Sequence, residues 1–99
     1  MTHLRLWRFE VPLVHQAKFV AAYKSDGGWA KLFETAPGFD RCELWRAGDG
    51  TYLTADYWKS LEAYERFQAT HAEAYLRLDA ELAGVAGIET FVGAFNPVD

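Results

Sequence analysis

The chain has 99 residues, of which 51% are hydrophobic and 16% aromatic, and its formal net charge is −4. This length predicts a single domain over residues 1–99, because cores of roughly 100–150 residues are the commonest size. The acidic balance argues against nucleic acid as a partner, since phosphate binding requires a basic field.

The sequence shows neither the roughly 18-residue apolar run of a membrane span nor the pattern of a secretory signal. Its single cysteine, Cys42, excludes an internal disulfide and suits a reducing compartment. We therefore expect a cytoplasmic protein with no membrane partner. Cys42 is interpreted as a small core residue.

The first half of the chain predicts a strand followed by an interrupted helix. Apolar residues alternate over residues 3–11, on both faces for part of the strand, and Pro12 ends it. A helix is predicted over residues 15–24. Two glycines within residues 25–28 interrupt it, since glycine is costly inside a helix, and helical spacing resumes from Trp29 to the turn at Pro37 and Gly38.

The second half predicts a hairpin, a long helix and a last strand. Strands are expected over residues 39–47 and 51–58, joined by a turn of Gly48, Asp49 and Gly50. Ser60 is predicted to cap a helix that runs to Gly84. Its apolar residues recur every three or four positions and predict one continuous buried stripe: Leu61, Tyr64, Phe67, His71, Tyr75, Leu78 and Leu82. Residues 88–95 form the last predicted strand.

The order strand, helix, strand, strand, helix, strand is that of the ferredoxin-like α+β plan, with an antiparallel sheet carrying its helices on one face. The other sheet face is also expected to be apolar. Four Trp, five Tyr and seven Phe are more rings than one small core easily buries. We therefore expect a homodimer in which two sheets pack face to face as a dimeric α+β barrel.

Several short segments resemble the antibiotic-biosynthesis-monooxygenase-like family of dimeric α+β barrels. They are Pro37-Gly38-Phe39 at the start of the second strand, Trp58-x-Ser60-x-Glu62-Ala63-Tyr64, and His71 in the helix that follows. The resemblance spans nearly the whole chain. It implies a homodimer with a pocket between sheet and helices. Members include cofactor-free oxygenases of polyketide-like phenols, quinol oxygenases, heme-degrading oxygenases and proteins with no assigned activity.

The heme-degrading branch is the least similar. That branch uses an Asn on the first strand and a Trp and a His on the second helix. Here the only asparagine is Asn96, and Phe67 stands where the tryptophan is expected. We therefore expect no heme and, more generally, no cofactor. His3, His15 and His71 are too dispersed for a metal site, and there is no cysteine cluster.

His71 is the candidate catalytic residue. It falls on the apolar stripe of the long helix, so it is expected to face the sheet, where an imidazole can act as a general base. The alternative is a core histidine that is hydrogen-bonded to a backbone carbonyl or a tyrosine.

A group of aromatic residues is predicted to surround a planar ligand, which stacking would hold and a few polar groups would orient. Its members are Tyr23, Trp29, Phe33, Tyr57, Phe67 and Tyr75. The glycines before Trp29 suggest that the first helix forms a lid. The alternative is that these rings only fill the core.

On the hairpin, Arg41, Glu43 and Asp56 are predicted to form cross-strand ion pairs. Two functions then remain open. One is a cofactor-independent monooxygenase acting on a small phenolic, quinol or polyketide-like compound, with His71 taking the phenolic proton. The other is a non-catalytic dimeric module that binds a small hydrophobic ligand. A proton-transfer isomerase or lyase would use the same residues.

Overall fold

The computed structural model describes residues 2–98. Four strands form one antiparallel sheet in the order β2-β3-β1-β4. The strands are β1 (His3–Glu10), β2 (Phe39–Arg46), β3 (Thr51–Trp58) and β4 (Ile88–Phe95). The helices are α1 (Gln16–Tyr23), α2 (Gly28–Glu34), α3 (Leu61–Thr70) and α4 (Ala72–Glu81), and a short 3-10 turn (Leu13–His15) precedes α1. No helix among the described residues is long and apolar enough to cross a bilayer.

This architecture confirms the predicted ferredoxin-like α+β fold. Each of its two helical crossovers is split into a pair of helices, α1 with α2 and α3 with α4. The first split occurs at the predicted glycines, since the chain is extended at Gly27 and α2 begins at Gly28. β4 joins the sheet beside β1, as the fold requires.

The turn residues act as their chemistry predicts. The Ser60 side chain accepts a hydrogen bond from the amide of Ala63 at 3.0 Å and so caps α3. Gly38 has φ of +91°, and its carbonyl accepts a hydrogen bond from the amide of Lys59 at 2.7 Å. A side chain at Gly38 would collide with Ala63. The start of β2 is therefore pinned against the start of α3.

The predicted continuous helix after Ser60 is wrong at one point, His71. Its backbone has φ of −119° and ψ of 21°, which separates α3 from α4. The hydroxyl of the preceding Thr70 donates to the carbonyl of Arg66 at 2.8 Å, a contact that often bends helices. No residue of α4 is fully buried, so the apolar stripe is only half covered beyond this bend.

Strand alternation gives the sheet two different faces. The helix face carries Phe9, Tyr52 and Trp58, which are buried against Phe19 of α1 and Phe67 of α3. These rings contact one another at edge-to-face and tilted angles with centroids about 5 Å apart, as between Trp58 and Phe67 at 5.2 Å. The helix face is therefore an aromatic core.

We call the opposite side of the sheet the open face, because no helix covers it. Large apolar side chains on or beside it remain exposed to solvent: Trp45, Leu53, Ile88, Val92 and Phe95. Tyr57 also lies here, where its hydroxyl donates to Glu43 at 2.9 Å and the Arg41 guanidinium lies 3.9 Å from its ring centroid.

The predicted ion pairs involving Asp56 are wrong because of the same alternation. Arg41 and Glu43 lie on the open face and pair with each other at 3.5 Å. Asp56 is directed to the helix face, where it accepts a hydrogen bond from Cys42. Since strand neighbours point to opposite faces, Asp56 cannot share a face with Glu43, which is registered with Ala55.

Two glycines, Gly84 and Gly87, lie in the connection between α4 and β4 and provide a test of how this connection packs. Both have positive φ, +83° at Gly84 and +67° at Gly87. A methyl group at Gly84 would meet nothing within 4 Å, whereas at Gly87 it would collide with the carbonyl oxygen of Glu10. We expect Gly84→Ala to lower the free energy of unfolding by about 1–2 kcal/mol from backbone strain, and Gly87→Ala to lower it clearly further. Urea unfolding followed by circular dichroism measures both, and equal losses would contradict this packing of the connection.

Candidate functional site: a cavity between sheet and helices

A cavity opens between the helix face of the sheet and the helices above it. Its sheet side comes from Trp7, Phe9, Cys42, Thr54, Asp56 and Glu89, and its helix side from Tyr23, Trp29, Phe33, Tyr75 and Asp79. The void measures about 490 Å³ when the part open to solvent is included. All four strands contribute to it, together with α1, α2 and α4, so the folded topology alone assembles this site.

Trp29 is at the centre of the helix side of the cavity. Its ring centroid lies 5.0 Å from that of Tyr75, 6.1 Å from Tyr23 and 5.9 Å from Phe33. These four are sequence-predicted ligand residues, and the structure brings them together. That the first helix forms a lid over this cavity stays a prediction.

The other two predicted aromatic ligand residues lie outside the cavity lining. Phe67 is only 1% exposed and packs behind the wall, with its ring 5.2 Å from Phe33 and 6.3 Å from Tyr75. Tyr57 lies on the open face, contrary to the prediction that it points into the same interior. Its position in β3 differs by one from Asp56 and Trp58, and one residue along a strand reverses the face.

His71 also lies beside the cavity rather than in its lining. Its ring stacks on Phe67 with centroids 5.1 Å apart, and Nδ1 lies 2.7 Å from the hydroxyl oxygen of Thr70. The side chain is half-buried at the bend between α3 and α4. Its role as a catalytic base stays a prediction, and any contact with a ligand would have to pass Phe67 or Tyr75.

Asp56 is the least exposed of the three acidic residues that line the cavity. The thiol of Cys42 donates to its Oδ1 at 3.2 Å. Burial raises the pKa of Asp56 from 3.8 to about 6, and the Cys42 hydrogen bond and the charge of Arg5 only partly oppose this rise. Burial, together with the charge of Asp56, also raises the pKa of the Cys42 thiol. Near neutral pH the pair is therefore a carboxylate beside a neutral thiol, and this carboxylate is basic enough to accept a proton.

Three aromatic residues of the cavity, Tyr23, Trp29 and Tyr75, carry hydrogen-bond donors. Burial raises the pKa of Tyr23 to about 12 and also raises that of Tyr75, so both stay neutral phenols. The indole N–H of Trp29 is buried without a hydrogen-bond partner among the described residues. The indole of Trp29 lies close enough to the Tyr23 hydroxyl to lower the pKa of Tyr23 slightly. The two groups nevertheless do not meet the geometry of a hydrogen bond. Within the described part of the chain, this N–H is thus an unsatisfied buried donor.

Solved structures of other proteins share this fold over almost the whole chain. SnoaB, a cofactor-independent oxygenase from Streptomyces nogalater, has a TM-score of 0.69 and 23% identity, covering 99% of this chain and 94% of that one. A monooxygenase from the ActVA-Orf6 gene of Streptomyces coelicolor, solved with the ligand nanaomycin D, has a TM-score of 0.72 and 26% identity, covering 98% and 88%. A Caulobacter crescentus protein provisionally described as an antibiotic biosynthesis monooxygenase has a TM-score of 0.70 and 16% identity, covering 99% and 91%.

The chain therefore has the fold of the antibiotic-biosynthesis-monooxygenase-like proteins. The resemblance predicted from its turn and cap residues is confirmed. No protein-family model matches the chain, and no curated protein does. The likeness therefore lies in the arrangement of elements more than in the identity of residues.

The polar end of the cavity was not predicted from the sequence. Cys42 was interpreted only as core and Asp56 only as an ion-pair partner, yet together they form one wall. The sequence of β3 contained a signal for this group. Asp56 is spaced by two from Thr54 and from Trp58, so it lies on the same face of the strand as these residues. A carboxyl on the aromatic face of a strand is costly to bury and is therefore a candidate functional group.

Proposed function

We propose that this protein is a cofactor-independent monooxygenase that acts on a small phenolic, quinol or polyketide-like compound held in the cavity between sheet and helices. The observation that carries the proposal is the combination of aromatic walls with one carboxyl whose pKa lies near 6, at Asp56. Stacking on Trp29 and Tyr75 would hold a flat ring, while the buried walls exclude water. The family fold supports the same class of reaction.

The chemistry needs little more than a proton acceptor in a dry site. For a substrate with an activated CH₂ group beside a phenol, the base removes one proton and leaves an electron-rich anion. Dioxygen adds to that carbon and forms a C–O bond. Loss of the second C–H proton with cleavage of the O–O bond gives a C=O group and one water molecule. The substrate supplies all the electrons, so both oxygen atoms are accounted for without another reductant.

Two side chains are candidates for the base. Asp56 lines the cavity and has a proton affinity suited to the task. His71 is the base proposed from the sequence, and it would have to act from behind Phe67 and Tyr75. Geometry favours Asp56, and the pair of substitutions described in the Discussion distinguishes the two.

Oxygen uptake tests the proposed reaction. Phenol, quinol and anthrone substrates are added to the purified protein, and we expect one O₂ to be consumed per anthrone oxidised, with one ¹⁸O atom entering the product and one entering water. A protein without added metal or flavin is used throughout. If no substrate of the three classes increases uptake above the rate without protein, the enzyme proposal is wrong. Ligand binding without oxygen uptake would then support the non-catalytic binding module. Such a module needs only hydrogen-bond donors such as those of Trp29 and Tyr23 to hold the ligand.

We also propose that the protein is a homodimer that packs through the open face. Support comes from the exposed apolar residues there, among them Trp45 and Leu53, on a sheet whose other face is already filled. A second copy would present the same apolar surface and so bury both at once. This pairing is the dimeric α+β barrel expected from the sequence.

A charge at the middle of the open face tests this dimer. Leu53 is 38% exposed and lies between Arg8 and Trp45 on neighbouring strands. We expect Leu53→Glu to convert the dimer to a monomer, because desolvating a carboxylate at the interface costs more than its attraction to the neighbouring Arg8 returns. Light scattering coupled to gel filtration measures the mass. Leu76→Glu, on α4 and 65% exposed, is the matched control that should stay dimeric. A dimeric Leu53→Glu protein, or a monomeric unsubstituted one, would contradict the proposal.

A further inference from the structure

The cavity lining is unbalanced in charge. It contains three carboxyl groups, Asp56, Asp79 and Glu89, and no Lys, Arg or His side chain. None of the three carboxyls forms a salt bridge within residues 2–98. A cleft with low-dielectric walls focuses a field of one sign, although solvent screens part of it here because Asp79 and Glu89 are exposed. A guest in this cavity therefore meets negative potential from several sides.

The charges of the three carboxyls influence the same part of the cavity. Burial raises the pKa of Glu89, and the charge of Asp79 raises it further. After burial, both Asp79 and Glu89 contribute to the raised pKa of Tyr75. Asp79 belongs to α4 and Glu89 to β4, whereas Asp56 lies on β3 and accepts a hydrogen bond from Cys42 on β2. The acidic groups thus lie on the helix side as well as on the sheet side of the aromatic rings.

Arg5, the cation whose charge lowers the pKa of Asp56, does not neutralise the cavity. Arg5 is registered with Asp56 on the adjacent strand, but its guanidinium stacks 4.0 Å from the ring centroid of Tyr64 and 4.8 Å from that of Phe91. It does not line the cavity. Its charge lowers the pKa of Asp56 only in part.

A second observation shows that the cavity is built to receive a polar guest. Trp29 lines the cavity and is only 8% exposed, and its buried indole N–H has no partner among the described residues. A buried donor without a partner costs free energy that a ligand oxygen can recover. Aromatic faces and nearby carboxylates both attract a cation. The ligand that complements these groups has a flat ring and an oxygen that accepts a hydrogen bond from Trp29. It also carries a positive or neutral substituent beside Asp79 and Glu89.

We propose that the cavity selects its aromatic ligand by charge, preferring one with a protonated amine, accepting an uncharged one and rejecting an aromatic carboxylate. This inference rests on the proposed function only for the aromatic nature of the ligand. Asp79 and Glu89 are the residues that make the distinction, and Trp29 anchors the ligand oxygen irrespective of charge.

Binding of three matched probes tests the inference without turnover. The probes are 2-naphthols that carry an aminomethyl, a hydroxymethyl or a carboxyl group at the same ring position, and isothermal titration calorimetry gives Kd under anaerobic conditions. We expect aminomethyl to bind most tightly and carboxyl most weakly, with at least about a tenfold ratio of Kd between them at low salt. Added salt should narrow this ratio, since screening weakens exposed charges most.

Variants assign the effect to the two carboxyls. The double variant Asp79→Asn with Glu89→Gln should bring the three Kd values together while leaving that of the hydroxymethyl probe nearly unchanged. The control Glu62→Gln with Glu65→Gln changes the net charge equally on the exposed surface of α3 and should keep the full ratio. Trp29→Phe should weaken all three probes by a similar factor.

Each result decides a different point. Equal Kd values in the unsubstituted protein, tighter binding of the carboxyl probe, or no binding of any probe would overturn the inference. The expected order of Kd without any oxygen uptake would leave it standing while the oxygenase proposal fails. Oxygen uptake with phenols, but with equal Kd values for the three probes, would support the oxygenase proposal and overturn the inference of charge selection.

Discussion

Replacing Asp56 by Asn is expected to lower kcat/KM for oxygenation by about 10²–10⁴-fold, the usual contribution of a positioned general base. The amide keeps the shape of the side chain and can still accept a hydrogen bond from Cys42, so the loss would come from the missing proton acceptor. Stopped-flow measurement of substrate oxidation gives the rate. Calorimetric Kd for the hydroxymethyl naphthol should change little, which separates a loss of catalysis from a loss of binding.

The pH profile distinguishes Asp56 from His71. With Asp56 as the base, kcat/KM of the unsubstituted enzyme should rise with pH through about 6 and then level off, because the carboxylate form is the active one. Asp56→Asn should remove this rise of kcat/KM near pH 6, and His71→Ala should retain it. If His71→Ala removes the rise and Asp56→Asn does not, the base is His71 and the sequence-based assignment holds.

The same substitution has an opposite effect on stability. A carboxyl whose pKa is raised from 3.8 to about 6 binds its proton more tightly in the folded protein. Its contribution therefore favours folding below pH 4 and is lost as the pH rises through about 6. Asn carries no charge, so we expect Asp56→Asn to gain stability over the unsubstituted protein by up to roughly 3 kcal/mol between pH 4 and pH 7. Urea unfolding at the two pH values measures this, and a constant difference would contradict the raised pKa.

Phe67→Ala is expected to lower the free energy of unfolding by about 3–5 kcal/mol, a large part of the stability of a small domain. Phe67 is 1% exposed and contacts the rings of Phe33, Trp58 and His71, each with a centroid distance of 5.1–5.2 Å. Removing it leaves a void that these stiff rings cannot fill. Urea unfolding followed by fluorescence gives the loss.

Two further variants determine whether Phe67 is structural or binds the ligand itself. Phe67→Leu keeps most of the volume and should cost clearly less than Phe67→Ala, with naphthol affinity within about twofold of the unsubstituted protein. Leu13→Ala removes an apolar side chain that is 84% exposed and should change stability by less than about 0.5 kcal/mol. A Phe67→Leu protein that folds normally but loses naphthol binding would show that Phe67 touches the ligand, as the sequence predicted.

The predicted elements agree with the structure most closely where a local signal marks them. Strand β3 begins and ends at the predicted residues, and Ser60 forms the predicted cap. The bend at His71 was not predicted, because apolar spacing continues through it. It arises where the Thr70 side chain competes for a helix carbonyl. Among the predicted ligand residues, Tyr23, Trp29, Phe33 and Tyr75 line one cavity, whereas Phe67 lies behind it and Tyr57 on the other face.

By itself, the sequence determined the order of elements and their turns, because these depend on residues close together along the chain. Only the tertiary structure decided which polar groups share a space. Cys42 and Asp56 are fourteen positions apart, yet their hydrogen bond depends on the register of β2 with β3. Asp79 and Glu89 reach the same cavity because α4 lies over the sheet beside β4. Burial of such groups sets their proton affinity and charge, and burial is a property of the packed molecule rather than of any short segment.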